Sequence, residues 1–471
     1  MAAALLCFQA AHSSYDHDEV QYLHSSWLVS QGQRPFQDFF EHHHPTLFYL
    51  LAPLTAALEG QPHRLIVAAR MLDLACLAVL LVAFVAVARR VVRHGPAAWT
   101  ALLLLGCFFF LRNSMEVRPD PWMAVFSFVG FWQWTVYLRG PGRLRPAVLA
   151  GLCLGTAIAF LPKAVPFAAC VAVGTALALR GHAAWAQAAR GAAVVLAAAL
   201  LPVAALALAV AKLGLWDDFV FWTVSFNRVF YLSHEAGSSA MRTFLESVGE
   251  SPLLWVGALW GLGLTARAVW RGEAQPELTI ASVVTVGTVV ALFRTRWPYG
   301  HNLLLMQPML ALLTAVALDS IEGARARAAV GVLLLVMVAK VCVLCVLYTE
   351  SPGAPAVQRR VLAETEPSTP VAIPPPYNPI FRPNAFYFWF IPQNIVPAYL
   401  TACRLHGLPP RKVEQDRRVW SDRPPRFVYV ASEEGAWTPF EFHAHRGAYL
   451  PTDLAGLWQL APAAAARSPA P

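Results

Sequence analysis

Near the start of this 471-residue chain, the stretch YDHDEVQYLHSSWLVSQG carries three carboxylates within four positions, Asp16, Asp18 and Glu19. Carboxylates at that spacing can act as a general base, supply metal ligands, or simply open a solvated loop. RPFQDFFEHHHPTLFYLL follows, with Asp38, Glu41 and the consecutive histidines His42, His43 and His44 ahead of Pro45. Three neighbouring histidines diverge on a helix, so all three cannot ligate one ion there, whereas a loop permits two. Glu41, His42 and His44 are therefore metal candidates, and phosphate binding by cationic or hydrogen-bonding imidazole is the other reading. A second group lies in RNSMEVRPDPWM, where Arg118 and Asp120 flank Pro119. They read either as a local ion pair or as an Arg for a phosphate and an Asp orienting a sugar or acceptor. A third is FLPKAVPF, where Lys163 stands alone between two prolines and can snorkel or hold a phosphate. Arg294, Arg296 and His301, in FRTRWPYGHN, add positive charge.

The elements that must position these groups are membrane helices. The chain is 57% hydrophobic and 14% charged, leaving too little polar surface for a soluble protein of this size. Its formal charge of +8 falls in short Lys/Arg clusters between apolar runs, which suits anionic lipid rather than nucleic acid. Apolar runs near 66–88, 97–111, 121–138, 146–161, 164–180, 192–212, 252–270, 278–293, 302–318 and 328–349, with the N-terminal segment, predict about eleven transmembrane helices. Residues 47–59 read as a re-entrant or interfacial helix. MAAALLCFQAAHSS is short for a span and reads as the outer part of a first helix whose start lies upstream of Met1.

Every second loop is basic: Arg89, Arg90 and Arg93; Arg139, Arg143 and Arg145; Arg180 and Arg190; Arg267 and Arg271; Arg325 and Arg327. The positive-inside rule assigns these to the cytoplasm. The first loop at 13–64, with 112–120, 161–163, 213–250, 294–301 and the tail from 350, then shares the outer face. The organisation expected is a transmembrane domain over 1–349, a Pro-rich linker over 350–376 and an outer domain over 377–471. In the tail, NAFYFWF reads as a buried helix or strand and PPRFVYVAS as a strand, with LPTDLAGLWQLAP closing a small α/β domain. Cys342 and Cys345 have metal-motif spacing but sit in VCVLCV, which reads as a buried helix.

DHDEVQYLHSSWLVSQGQRPFQDFFEHHHPTLFYLL resembles the first outer loop of GT-C-fold glycosyltransferases of the bacterial protein O-mannosyltransferase-like and aminoarabinose-transferase-like branch. That pattern is an Asp-Glu pair, a Tyr three residues on, Gly-x-x-Pro-(Tyr/Phe)-x-Asp, then Glu-(His/Lys)-x-Pro. Here these are Asp18-Glu19, Tyr22, Gly32 with Pro35-Phe36 and Asp38, and Glu41 to Pro45. Arg-Pro-Asp at 118–120 and the Lys163 segment resemble two further motifs in family order. The resemblance implies an α-helical polytopic membrane enzyme at the bacterial plasma membrane that moves a hexosyl or pentosyl group, with inversion, from a polyprenyl-phosphate donor to an envelope acceptor.

By the same resemblance Asp18 is the catalytic carboxylate, with Glu19 and Asp120 in support. Asp16, Tyr22, Glu41, His43, His44, Arg118, Lys163 and Arg296 are then expected to contact donor or acceptor. No organic cofactor is implied, and a divalent ion stays open. His44-Pro45-Thr46 stands where the aminoarabinose relatives have a Lys and two prolines, so His43 or His44 substitutes for a phosphate-binding Lys. The alternatives are a flippase for lipid-linked glycans, which would place polar groups at mid-span, and a non-catalytic envelope scaffold. Arg70 and Asp73 are partial exceptions to the absence of such mid-span charge.

Overall fold

A computed structural model describes residues 2–92, 97–140, 142–180, 185–233, 240–273, 275–294, 299–347, 353–430, 438–439 and 441–462. The chain divides into two compact units, each assembled from three separated stretches.

The first unit (1–11, 70–209 and 235–349) is an α-helical membrane bundle. Pro119–Arg139 packs along Leu144–Phe160, Pro276–Arg294 along Ala164–Ala178, and Pro252–Trp270 along Gln307–Asp319. Among the described residues of the chain, five helices are long and apolar enough to cross a bilayer: Pro62–Val91, Trp185–Lys212, Pro252–Trp270, Pro276–Arg294 and Ala324–Leu347. The shorter apolar helices Leu144–Phe160, Ala164–Ala178 and Gln307–Asp319 pack among them. Leu196, Leu200 and Leu201 of Trp185–Lys212 are exposed, a face that suits lipid and not water.

Small residues let these helices approach closely. A Cβ on Gly151 would lie 2.3 Å from the Val195 carbonyl oxygen, and one on Gly155 would lie 2.2 Å from that of Ala199. This is a small-xxx-small contact, where backbone-to-backbone packing replaces the hydrophobic drive that lipid cannot supply. The apolar run at 97–111 does not form one span. It breaks into Ala97–Leu105 and Phe108–Met115. Cys107 takes an extended conformation, and the Glu250 carboxylate accepts the Phe108 N–H at 2.6 Å, satisfying a donor that the new helix start would otherwise orphan. At the far end of Pro119–Arg139, Arg139 donates to the buried Glu277 at 2.7 Å, with Arg90 3.9 Å from the other oxygen. Two arginines from successive basic loops thus share one end of the bundle. The buried Arg70 donates to the Ala10 carbonyl at 3.1 Å.

The second unit joins 12–69, 210–234 and 350–471. The segment 12–69 therefore belongs with the tail rather than with a continuous domain over 1–349. Helix His17–Ser30 packs on Thr46–Ala57. Gly32, at φ +82, reverses the chain after the first of these. Phe36 also holds a positive φ of +72 although fully buried, and its carbonyl accepts the Tyr387 hydroxyl at 2.5 Å. Such a strained conformation persists where surrounding contacts over-determine it.

The tail contains a three-stranded antiparallel sheet, β1 (Phe427–Tyr429), β2 (Tyr449–Pro451) and β3 (Leu457–Leu460), in the order β1-β3-β2. Phe427 and Tyr429 enter one core with Val357, Val361 and Ile373, while Val428 and Val430 enter another with Phe386 and Trp420. That period-two alternation buries both faces of β1 between Gly353–Glu364 and Arg411–Asp422. The span 350–376 is thus not a plain linker: helix Gly353–Glu364 supplies Val357 and Val361 to the core. NAFYFWF forms neither helix nor strand but an irregular segment, whose Tyr387 and Phe388 N–H groups are taken by the buried Asp416 at 2.6 and 2.9 Å.

Candidate functional site

Chemistry-bearing residues gather in two clusters, one in each unit. In the second unit, Asp16 caps helix His17–Ser30 by accepting the Asp18 N–H at 2.9 Å, which explains Asp16 without a ligand. Asp18 occupies the first helical turn with its side chain 20% exposed, so it is reachable from solvent. His17 lies within 3.8 Å of Asp16 and 3.7 Å of Asp18. Glu19 is fully buried. Tyr22 is buried too, with its ring 5.8 Å from Phe48 and 5.4 Å from His43. Asp38 accepts the Arg34 N–H at 2.7 Å and closes the turn beside Pro35.

Glu41 is fully buried and accepts five hydrogen bonds. Gln21 and Ser25 reach one oxygen at 3.3 and 3.4 Å. The N–H groups of His42 and His43, at 2.9 and 3.2 Å, and His43 Nδ1, at 2.7 Å, reach the other. Burial works against its charge, yet His43, His42 and these bonds outweigh that and hold the carboxyl below the usual glutamate range. Glu41 thus organises the loop that presents the histidines. Burial pulls His42 down to about 3, so it is a neutral imidazole at physiological pH. Its ring stands 4.0 Å from that of His43, whereas His44 turns to Phe219 at 5.3 Å. Of the three histidines, the loop therefore pairs His42 with His43 and leaves His44 apart.

Glu41, His42 and His43 offer ligand atoms within 4.8 Å of one another, as do Asp16, His17 and Asp18. His43, not His44, completes the first trio. A cation at the first would have to displace the His43 Nδ1–H from Glu41, whereas at the second Asp16 caps the helix through Oδ1 and turns Oδ2 towards His17 at 3.8 Å.

In the first unit, the loops before Pro119–Arg139 and Ala164–Ala178 meet the Gly300–Leu303 turn. Asp120, 2% exposed, lies 3.2 Å from Lys163 Nζ and 3.6 Å from Arg118 Nε. Lys163, 41% exposed, also donates to Asn302 Oδ1 at 2.8 Å, and Arg118 Nη2 lies 3.3 Å from His301 Nε2. Three basic side chains thus converge on one buried carboxylate, at the opposite end of Pro119–Arg139 from the Arg139–Glu277 pair. A carboxylate so paired orients cations and is a poor base. Arg296 lies outside the described residues.

The sequence reading passed over Asn302, Gln21, Ser25 and Asn227. Asn227 contacts His42 from 185 residues away, so no local spacing could mark it.

No protein-family model matches this sequence, and no curated protein does. Solved structures do. ArnT from Cupriavidus metallidurans in the apo state superposes with a TM-score of 0.65 at 16% identity, over 100% of this chain and 98% of that one. The same protein bound to undecaprenyl phosphate gives 0.63 at 15%, over 91% and 90%. The oligosaccharyltransferase of Archaeoglobus fulgidus in the apo form gives 0.51 at 13%, over 75% of this chain and 55% of that one. From end to end, this chain is a polytopic membrane protein with the GT-C fold, similar in architecture to ArnT.

Proposed function

We propose that this protein is an integral membrane glycosyltransferase that moves a sugar from a polyprenyl-phosphate donor to an acceptor hydroxyl of the cell envelope, with inversion. The observation that carries this reading is the likeness to ArnT over the whole of both chains, in a protein that also presents a reachable carboxylate, Asp18, in the first outer loop. The ArnT structure with undecaprenyl phosphate supports a lipid-phosphate donor here.

An acceptor hydroxyl is a weak nucleophile, and Asp18 takes its proton as it attacks the anomeric carbon. Within the first unit, Asp120 holds Lys163 and Arg118 beside one another, a pair of cations suited to a phosphate. Inversion needs one base and no covalent intermediate. We assign the active site and the tail to the extracytoplasmic side of the plasma membrane, as the alternation of basic loops supports.

Asp18→Asn tests the assignment. It is expected to lower transfer from a radiolabelled polyprenyl-phosphate sugar by roughly 10²–10⁴-fold while donor binding persists. Undiminished transfer in a folded variant would sink it.

A further inference from the structure

Within the second unit, Asn227 follows the π-helical turn Phe221–Phe226, a form of helix met mostly as single turns and frequently at functional sites. Its side chain spans the His42 residue twice. Asn227 Nδ2 donates to the His42 carbonyl at 2.9 Å and to the Thr223 carbonyl at 3.1 Å. Two carbonyl oxygens can only accept, so the group facing them must be the amide nitrogen. The amide oxygen is thereby left opposite His42 Nδ1, at 2.8 Å. An oxygen with no hydrogen can pair with that ring atom only if Nδ1 carries the proton. Phe40, Phe226 and Phe230, with ring centroids 5.6 to 5.8 Å from that of His42, hold the imidazole plane.

We propose that Asn227 is a positioning residue that fixes His42 in the Nδ1–H tautomer, so that Nε2 presents a bare lone pair to the hydroxyl of the sugar acceptor. Among the described residues Nε2 makes no hydrogen bond. A phosphate oxygen offers no hydrogen, so a neutral imidazole in this tautomer cannot serve the donor phosphate; a hydroxyl does offer one. Of the histidine run, His42 is thereby removed from the phosphate-binding reading and assigned to the acceptor. This rests on the glycosyltransferase reading for the identity of the hydroxyl, but the tautomer itself does not.

The experiment is nitrogen-15 NMR of histidine-labelled full-length protein in detergent at neutral pH, beside the transfer assay. Wild-type His42 is expected to show a protonated Nδ1 and an unprotonated Nε2. Asn227→Leu, of similar volume but unable to accept, is expected to release the ring into the mixture of tautomers seen for free imidazole. The same variant should lower kcat about tenfold with the KM for the polyprenyl-phosphate donor unchanged, the scale typical when a hydrogen bond that orients a working imidazole is lost. A wild-type His42 protonated on Nε2 overturns the proposal whether or not the variant folds. So does a donor KM that rises in Asn227→Leu while kcat holds. If wild type transfers no sugar, the glycosyltransferase reading fails, and the spectrum still decides the role of Asn227.

Discussion

The two clusters use buried carboxylates in opposite ways. Asp120, in the first unit, is surrounded by side-chain cations: Lys163 at 3.2 Å, Arg118 at 3.6 Å, and His301 behind Arg118. Glu41, in the second, is solvated by an amide, a hydroxyl, two backbone N–H groups and one imidazole, with no Lys or Arg among the described residues. The first arrangement gathers positive charge around one carboxylate and leaves Lys163 partly exposed, as suits an incoming anion. The second fixes rings and protons around one carboxylate held by uncharged donors and an imidazole, as suits a place where hydroxyls are oriented. The two sites are thereby distinguished by the partners of one acid each.

This contrast can be broken by experiment. The largest separation is expected between Asp18 and Lys163: Asp18→Asn should depress kcat, while Lys163→Ala should instead raise the donor KM by about 10–100-fold, the worth of one charge-assisted bond. Steady-state kinetics with varied donor reads this directly, and a shared effect on one constant would erase the distinction. Next comes stability. Glu41→Ala removes an acceptor from five donors and should destabilise the protein by about 3 kcal/mol, measured by thermal unfolding in detergent. An unchanged midpoint would mean that Glu41 does not organise its loop.

An effect of similar size, spread over two rings, is expected from acid. Burial lowers His42 to about 3 and His24, whose Nδ1–H donates to the Ile380 carbonyl at 2.6 Å, to about 4. The unfolded chain binds a proton at each near pH 6.5, where the folded chain does not. Stability is therefore full above pH 6.5 and is lost as pH falls towards 4 and 3. By pH 5 the loss is about 2 kcal/mol per histidine. Hydrogen exchange in peptides from 12–69, corrected for intrinsic rates, should show falling protection between pH 7 and pH 5; constant protection would contradict the neutral buried state of both rings.

Much of this was legible along the chain. The apolar runs marked the helices, and the alternation of arginines agrees with Arg90 and Arg139 meeting on Glu277 at one bundle end. Asp18, Glu41, Arg118, Asp120 and Lys163 were visible because charges beside apolar runs are costly and so stand out. What was misread has local causes. The run at 97–111 breaks at Gly106-Cys107, where the distant Glu250 takes the Phe108 N–H that starts the second helix. The prolines at 352–376 suggested a linker, but hydrophobic residues four apart, Val357 and Val361, built a packed helix within it. The stretch Gly151-x-x-x-Gly155 was readable as a close helix contact and was passed over.

Sequence alone thus determined that this protein lives in a membrane, where its helices run, and which acids and bases stand near their ends, because hydropathy and charge act locally along the chain. Tertiary structure alone decided that Asp16 is a cap, that Glu41 serves the loop, that His42 pairs with His43 and not His44, and that Asn227 sets the ring of His42. Those roles depend on which donor meets which acceptor, and partners separated by as many as 185 residues leave no periodic trace.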